Sequence, residues 1–357
     1  MAERLVLHIG SMKSGTSFIQ NVLGDNKERL AEQGVLFPGR RWKSQVNAVQ
    51  ELIGRGGPKQ EPLDPAGPWQ TMVDEVNAWP GTAVVSMEFL GPRRPEKIAQ
   101  IRGSFPDTDV EAVLTCRDLA RNIPAMWLES MQNGSTIGWS DYLDAVRTED
   151  RSSPAGRSFW RQQAIPATAR RWSTGLDGRL TLLTIPPKGA PPGLLWERFA
   201  EVIGVPPDGV DLDVRANPSI GLATALVLLQ LNRQLVQDDG TQPRHYDLYV
   251  KHFLAKRGLV ARQGDEPRLG LDEDWVRKRG EEQVKRLRAD GYRVVGDLDE
   301  LRPLPVPGVH ADEVAMEDRL AAAVDGLEHL VRAWSRSDRL MRRKIRQASL
   351  DAGRDPG

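Results

Sequence analysis

The chain predicts an α/β protein: a mostly parallel sheet flanked by helices, with a largely helical C-terminal part. Three observations lead there. Apolar runs of strand length recur at residues 5–9, 82–87, 110–116 and 179–185. Segments with helical apolar spacing separate them, which is the pattern of βαβ crossovers. After residue 190 helix-favouring segments dominate.

Residues 5–9 (LVLHI) form a continuous apolar run, as expected for a strand buried on both faces. Residues 16–33 carry Phe18, Ile19, Val22, Leu23 and Leu30 at helical spacing, closed by GVLFPG. The Gly/Pro/Gln-rich stretch 54–68 reads as a loop. A helix over 72–79, a Pro80-Gly81 turn and the strand TAVVSM at 82–87 follow. A helix at 95–105 leads to the strand VEAVLTC at 110–116, and helices are expected over 118–132 and 158–176. The strand RLTLLTI at 179–185 precedes the turn-rich PPKGAPPG. Beyond it, residues 194–203, 220–235, 246–257, 273–290 and 313–347 favour helix, and only YRVV (292–295) suggests a strand. With no clear linker, the expected organisation is one α/β domain over 1–302, with its core at 4–190 and a helical elaboration at 191–302. A C-terminal helical extension would follow over 303–357.

Composition narrows the function classes. At 39% hydrophobic and 27% charged residues the chain is that of a soluble globular protein. Lys plus Arg equals Asp plus Glu at 49 each, so net charge favours neither a nucleic-acid partner nor an anionic membrane. Cys116 is the single cysteine, which excludes an internal disulfide and a cysteine-rich metal site. No stretch approaches the roughly 18 apolar residues of a membrane span. The opening MAERLVLHIG runs straight into a strand, so the expected location is cytoplasmic with no integral membrane segment.

The informative segment follows the first strand. Gly10 and Gly15 have the spacing of a nucleotide-triphosphate loop, G-x-x-x-x-G-K-[ST], but Thr16 stands where the lysine belongs and the lysine is inside the loop, at Lys13. Between a strand and a helix, Ser11, Met12, Lys13, Ser14, Gly15, Thr16 and Ser17 would offer backbone N–H groups to an anion. The alternative is a structural Gly/Ser turn.

HIGSMKSGTSF at residues 8–18 resembles the signature of sulfotransferases that use 3′-phosphoadenosine 5′-phosphosulfate. A second motif continues the resemblance: the strand VEAVLTC leads into RDLARNIPAMW, which puts Arg117 where the family's 3′-phosphate arginine stands. The family's serine eight residues on is Ala125 here, and Arg121 or Asn122 could substitute for it. RANPSIGLATALVLLQLN (215–232) and GYRVVGDLDEL (291–301) resemble the bacterial, notably actinobacterial, branch, while the K-G-x-x-G-x-W segment of the animal cytosolic enzymes is missing.

The resemblance implies a P-loop-type fold and sulfuryl transfer to a hydroxyl, with an amine as second choice. The acceptor would be a small molecule, lipid or carbohydrate, the product adenosine 3′,5′-bisphosphate, and no metal would be needed. Lys13 would stabilise the leaving oxygen and Arg117 would hold the 3′-phosphate.

The base would be Glu88, just past the C-terminal end of the strand TAVVSM, where parallel sheets bind ligands. A helix-start carboxylate or ion-pair partner is the competing reading. Asp118 mimics the aspartate of a kinase-type site, which keeps open a P-loop kinase or ATPase using ATP and Mg²⁺; a non-catalytic nucleotide-binding protein is the other alternative. His8 reads as a packed strand residue. Asn217 and Ser219 suit capping of the helix from 220 as well as nucleotide contact. Trp127, Trp160 and Trp172 could line an acceptor pocket, although aromatics at helical spacing belong more often to cores. Oligomeric state is not legible.

Overall fold

A computed structural model describes residues 2–54, 63–214, 218–237 and 245–352, with side chains described to residue 341. The expected loop at 54–68 therefore lies largely outside the described residues, as does Asn217.

The described residues form six strands, β1 (Arg4–His8), β2 (Val35–Leu36), β3 (Thr82–Ser86), β4 (Asp109–Cys116), β5 (Leu180–Thr184) and β6 (Arg293–Val295). They form one sheet in the order β2-β3-β1-β4-β5-β6, and every pairing is parallel. Each strand's C-terminal end therefore opens on the same edge.

Alternation along the strands feeds two cores. Leu5, Leu7 and Ile9 of β1 and its exit join Ala83, Val85, Leu114, Trp69, Phe105 and Trp172 on one face of the sheet. Val6, Val84 and Val113 point the other way, among Ile19, Phe37, Trp196 and Phe199. Burial on both faces is why these strands read as continuous apolar runs. Cys116 ends β4 fully buried, its thiol on the Leu114 carbonyl, and burial raises its pKa well above the ordinary value.

Two expected helices are each broken in two. The segment 16–33 splits into Thr16–Asp25 and Lys27–Glu32 at Asn26. The Asn26 amide is committed elsewhere: Nδ2 donates to the Val22 and Asp211 carbonyls (2.9 and 2.8 Å), and Oδ1 accepts from Asp211 N–H at 2.6 Å. The segment 158–176 is Pro154–Gln163 followed by Ile165–Gly175, because Pro166 suits a helix start and has no N–H to continue the first helix. The short strand β2 and the helix Trp139–Arg147 were not expected.

The chain divides into two compact units. One comprises Met1–Met126, Tyr142–Asn217 and Asp272–Val306 and contains the whole sheet. The other comprises Trp127–Asp141, Pro218–Leu271 and Pro307–Gly357 and is helical. Inside the second unit the helix Leu222–Gln237 is fixed by Asn232, whose Nδ2 donates to the carbonyls of Met131 and Ser135, both at 2.9 Å. Among the described residues no helix is long and apolar enough to cross a membrane.

Candidate active site

The loop after β1 stays tied to β4. Ser11 N–H donates to the Thr115 carbonyl at 2.8 Å and Thr115 N–H to the Gly10 carbonyl at 2.6 Å. Gly10, Lys13 and Gly15 all take positive φ, at 90°, 61° and 73°. For the two glycines this is inexpensive; for Lys13 it costs on the order of 1–2 kcal/mol. Lys13 and Gly15 have positive φ and Ser14 between them does not, an alternation of the kind from which anion-binding nests are built. Gly15 stands at the N-cap of the helix Thr16–Asp25, and no side chain caps that start. Ser11 and Thr16 are buried, and Met12, Lys13 and Ser17 half-buried.

Beneath the loop runs a buried polar chain. Ser14 Oγ pairs with Thr115 Oγ1 at 2.7 Å, Thr115 Oγ1 with His8 Nε2 at 3.2 Å, and His8 Nδ1 with Ser86 Oγ at 2.8 Å. His8 is fully buried beside Phe199, and burial pushes its pKa down to about 3. At neutral pH it is an uncharged strut joining β3, β1 and β4 under the loop.

Glu88 leaves β3 directly beside the loop. A Cβ added to Gly10 would lie 2.8 Å from the Glu88 Cβ, and one added to Gly91 would lie 2.7 Å from the Ile9 carbonyl oxygen. The turn 88–91 is thus seated on the first loop residues, and only glycine permits that approach. Gln20 Nε2 donates to Glu88 Oε2 at 3.0 Å and to the Ser86 carbonyl at 3.2 Å, which orients the carboxylate.

Arg117, just past β4, is brought to the same place. Its Nη1 donates to the Lys13 carbonyl at 3.0 Å. Its Nε, like Ser11 Oγ, is buried without a hydrogen-bond partner among the described residues. Burial and then the neighbouring Arg121 lower its pKa to about 10, against the opposing pull of Asp118, so it remains a cation at neutral pH.

The two residues considered as substitutes for the missing serine are differently engaged. Arg121 pairs through Nε with Asp118 and donates through Nη1 to the Pro186 carbonyl at 3.2 Å. Asn122 is fully buried, and its Nδ2 donates to Gln163 Oε1 at 2.8 Å. Gln163, which carried no sequence signal, closes this network by donating from Nε2 to the Met12 carbonyl at 2.8 Å. Gln20 and Gln163 are the site residues that sequence reasoning missed, since a lone glutamine on a helix belongs to no motif.

Other candidates fall into the core. Trp127 and Trp172 are fully buried, and the Trp160 indole N–H donates to the Val146 carbonyl at 2.9 Å. Trp172 N–H donates to the Gly91 carbonyl at 3.0 Å, supporting the turn that carries Glu88.

Among solved structures the chain is similar to the crystal structure of a sulfotransferase from Alicyclobacillus acidocaldarius. The match has 14% identity and a TM-score of 0.41, and covers 68% of this chain and 100% of that one. No family model and no curated protein matches.

Proposed function

We propose that this chain is a sulfotransferase that moves a sulfuryl group from 3′-phosphoadenosine 5′-phosphosulfate to an acceptor hydroxyl, with an amine the second choice of nucleophile. The observation that carries the reading is the seating of Glu88 on Gly10, beside the loop that contains Lys13. A carboxylate at that point serves a reaction that must remove a proton next to a bound anion.

The residues fit such a donor. Ser11 Oγ and Arg117 Nε are buried donors with no partner among the described residues, and the helix start at Thr16 is uncapped. Each is the kind of group a phosphate satisfies. Glu88 takes the proton of the acceptor hydroxyl as its oxygen bonds to sulfur. Lys13 donates to the phosphate oxygen released when the S–O bond breaks, at the position where negative charge grows. Arg117 holds the 3′-phosphate and, through the Lys13 carbonyl, fixes the loop.

The kinase alternative would need a lysine after Gly15, where the buried Thr16 stands, and a metal-binding aspartate, whereas the carboxylate of Asp118 is engaged by Arg121.

The test is transfer of radiolabelled sulfate to an acceptor panel, with calorimetric titration of adenosine 3′,5′-bisphosphate. Glu88→Gln should keep nucleotide binding and lose about 10²–10⁴-fold in rate. Lys13→Ala should lose rate to a similar order through the leaving group. Near-normal transfer by a folded Lys13→Ala variant, or ATP with Mg²⁺ bound in preference to the bisphosphate, would sink the reading.

A further inference from the structure

Strand order arranges the edge of the sheet as a line. Arg117 follows β4, the Lys13 loop follows β1 and Glu88 follows β3. Outside them β2 exits into Pro38-Gly39-Arg40-Arg41. Adjacent strands lie about 4.8 Å apart. On the sulfotransferase reading the donor occupies the β4 and β1 exits and the acceptor hydroxyl meets Glu88 at β3. The rest of the acceptor then extends over β2.

At that exit lies a cavity of about 350 Å³ lined by Arg40, Arg41, Lys43, Ser44 and Asn47. Among the described residues no carboxylate pairs with these cations. Ordinary surface cations sit on mobile convex ground; this backbone is pinned. Gly39 N–H donates to Glu75 Oε2 at 2.8 Å, Lys27 Nζ to the Gly39 carbonyl at 2.7 Å, and Gln45 Nε2 to the Pro38 carbonyl at 3.1 Å. Gly39 itself has φ 85°, and a Cβ there would lie 2.5 Å from the Ser44 Cβ.

The cavity is also tied to the carboxylate. Trp42, between Arg41 and Lys43, donates its indole N–H to the Ser86 carbonyl at 3.3 Å, the same oxygen that Gln20 uses while holding Glu88.

We propose that this cavity is the acceptor subsite and that it takes an anionic saccharide, with Arg40, Arg41 and Lys43 on its acidic group. All five lining residues end in polar or charged groups, three of them cationic, which favours a charged, hydroxyl-bearing ligand. Three cations with no carboxylate partner among the described residues call for an anion, and Arg forks match a carboxylate. Ser44 and Asn47 suit sugar hydroxyls. Trp42, 39% exposed, offers an aromatic surface beside them. The assignment rests on the sulfotransferase reading for the transfer step, but its binding half can be tested alone.

The experiment is calorimetric titration, at low salt, of a glucuronic-acid-terminated disaccharide and of its carboxyl-reduced counterpart. The proteins are the wild type, R40A/R41A/K43A and R40K/R41K, each checked by circular dichroism and thermal melting. The wild type should bind the acidic sugar at least about tenfold more tightly than the neutral one, a difference of about 1.4 kcal/mol. That preference should vanish in R40A/R41A/K43A and persist in weakened form in R40K/R41K. Equal affinity for the two sugars, binding of neither, or a preference that survives the triple alanine variant overturns the proposal. Adenosine 3′,5′-bisphosphate, titrated into the same preparations, should bind wild type and triple variant alike. If it fails to bind the wild type, the sulfotransferase reading falls while the saccharide result stands on its own.

Discussion

Replacing Gly10 with alanine isolates the contact on which the candidate site depends. The added Cβ would lie 2.8 Å from the Glu88 Cβ and 3.1 Å from its Cα, on a backbone with φ +90°. Carbon atoms prefer about 3.5–4.0 Å, so the backbone at Glu88 must retreat by roughly 0.7–1 Å. Left-handed backbone costs an alanine about 1–2 kcal/mol, and overpacking adds about 1–3 kcal/mol. Gly34→Ala supplies the control: its φ is +82° and nothing lies within 4 Å of its added Cβ, so it carries the backbone cost alone. Urea unfolding should therefore rank Gly10→Ala below Gly34→Ala by about 1–3 kcal/mol. On the proposed sulfotransferase reading, a displacement near 1 Å should also lower sulfuryl transfer by about 10²-fold in Gly10→Ala, with Gly34→Ala near wild type. If the two variants unfold alike, the close seating of Glu88 on the loop is wrong. If Gly10→Ala is destabilised but transfers normally, Glu88 does not act on the reacting oxygen.

Further outcomes follow from other contacts. Gln163→Leu leaves the Met12 carbonyl and the Asn122 amide without their buried partner, costing about 1–3 kcal/mol for each group. Amide exchange in the loop should quicken and, on the proposed reading, bisphosphate affinity should fall; unchanged exchange would refute the bracing role. His8 is held down to about 3 from 6.5, so its stabilising neutral form is fully present above pH 6.5. As pH falls toward about 3 only the unfolded chain takes up the proton, and stability drops by about 1.4 kcal/mol per pH unit. His8→Asn should remove that slope from urea titrations between about pH 4 and 6; parallel slopes would count against burial as its cause. Arg198 grips Glu300 with two hydrogen bonds of 2.7 and 2.8 Å, both side chains being largely buried. Arg198→Ala should cost about 3–5 kcal/mol while R198M/E300L recovers most of it, and equal losses in both variants would show that the pair does not act as a unit.

The central strands were legible because burial on both faces leaves no polar alternation to confuse the signal; LVLHI and TAVVSM could be little else. The loop was legible because Gly10 and Gly15 answer backbone requirements that other residues meet only under strain. What escaped were features decided by distant partners. Asn26 breaks a helix because Asp211, far along the chain, occupies its amide. The two-residue strand β2 is too short to show periodicity, and its pairing with β3 is what defines it. At the candidate site, Lys13, Glu88 and Arg117 are proposals that motif and strand-end position suggest. Neither suggests Gln20 or Gln163, because their roles exist only once helices pack against the loop. Arg121 and Asn122 lie next to Arg117 in sequence, and packing engages Arg121 Nε with Asp118 and Asn122 Nδ2 with Gln163.

The solitary Cys116 turns the candidate site into something that can be watched without engineering. Its sulfur is sealed at the end of β4, one residue before Arg117, and its thiol holds its proton far more tightly than an ordinary one. Thiol reagents can reach it only when β4 parts from its neighbours. The rate at which the untouched protein is labelled thus reports how often the sheet opens beneath the loop. Any ligand that tightens the loop should slow that labelling, giving a read-out of occupancy that needs neither a known acceptor nor a measurable turnover.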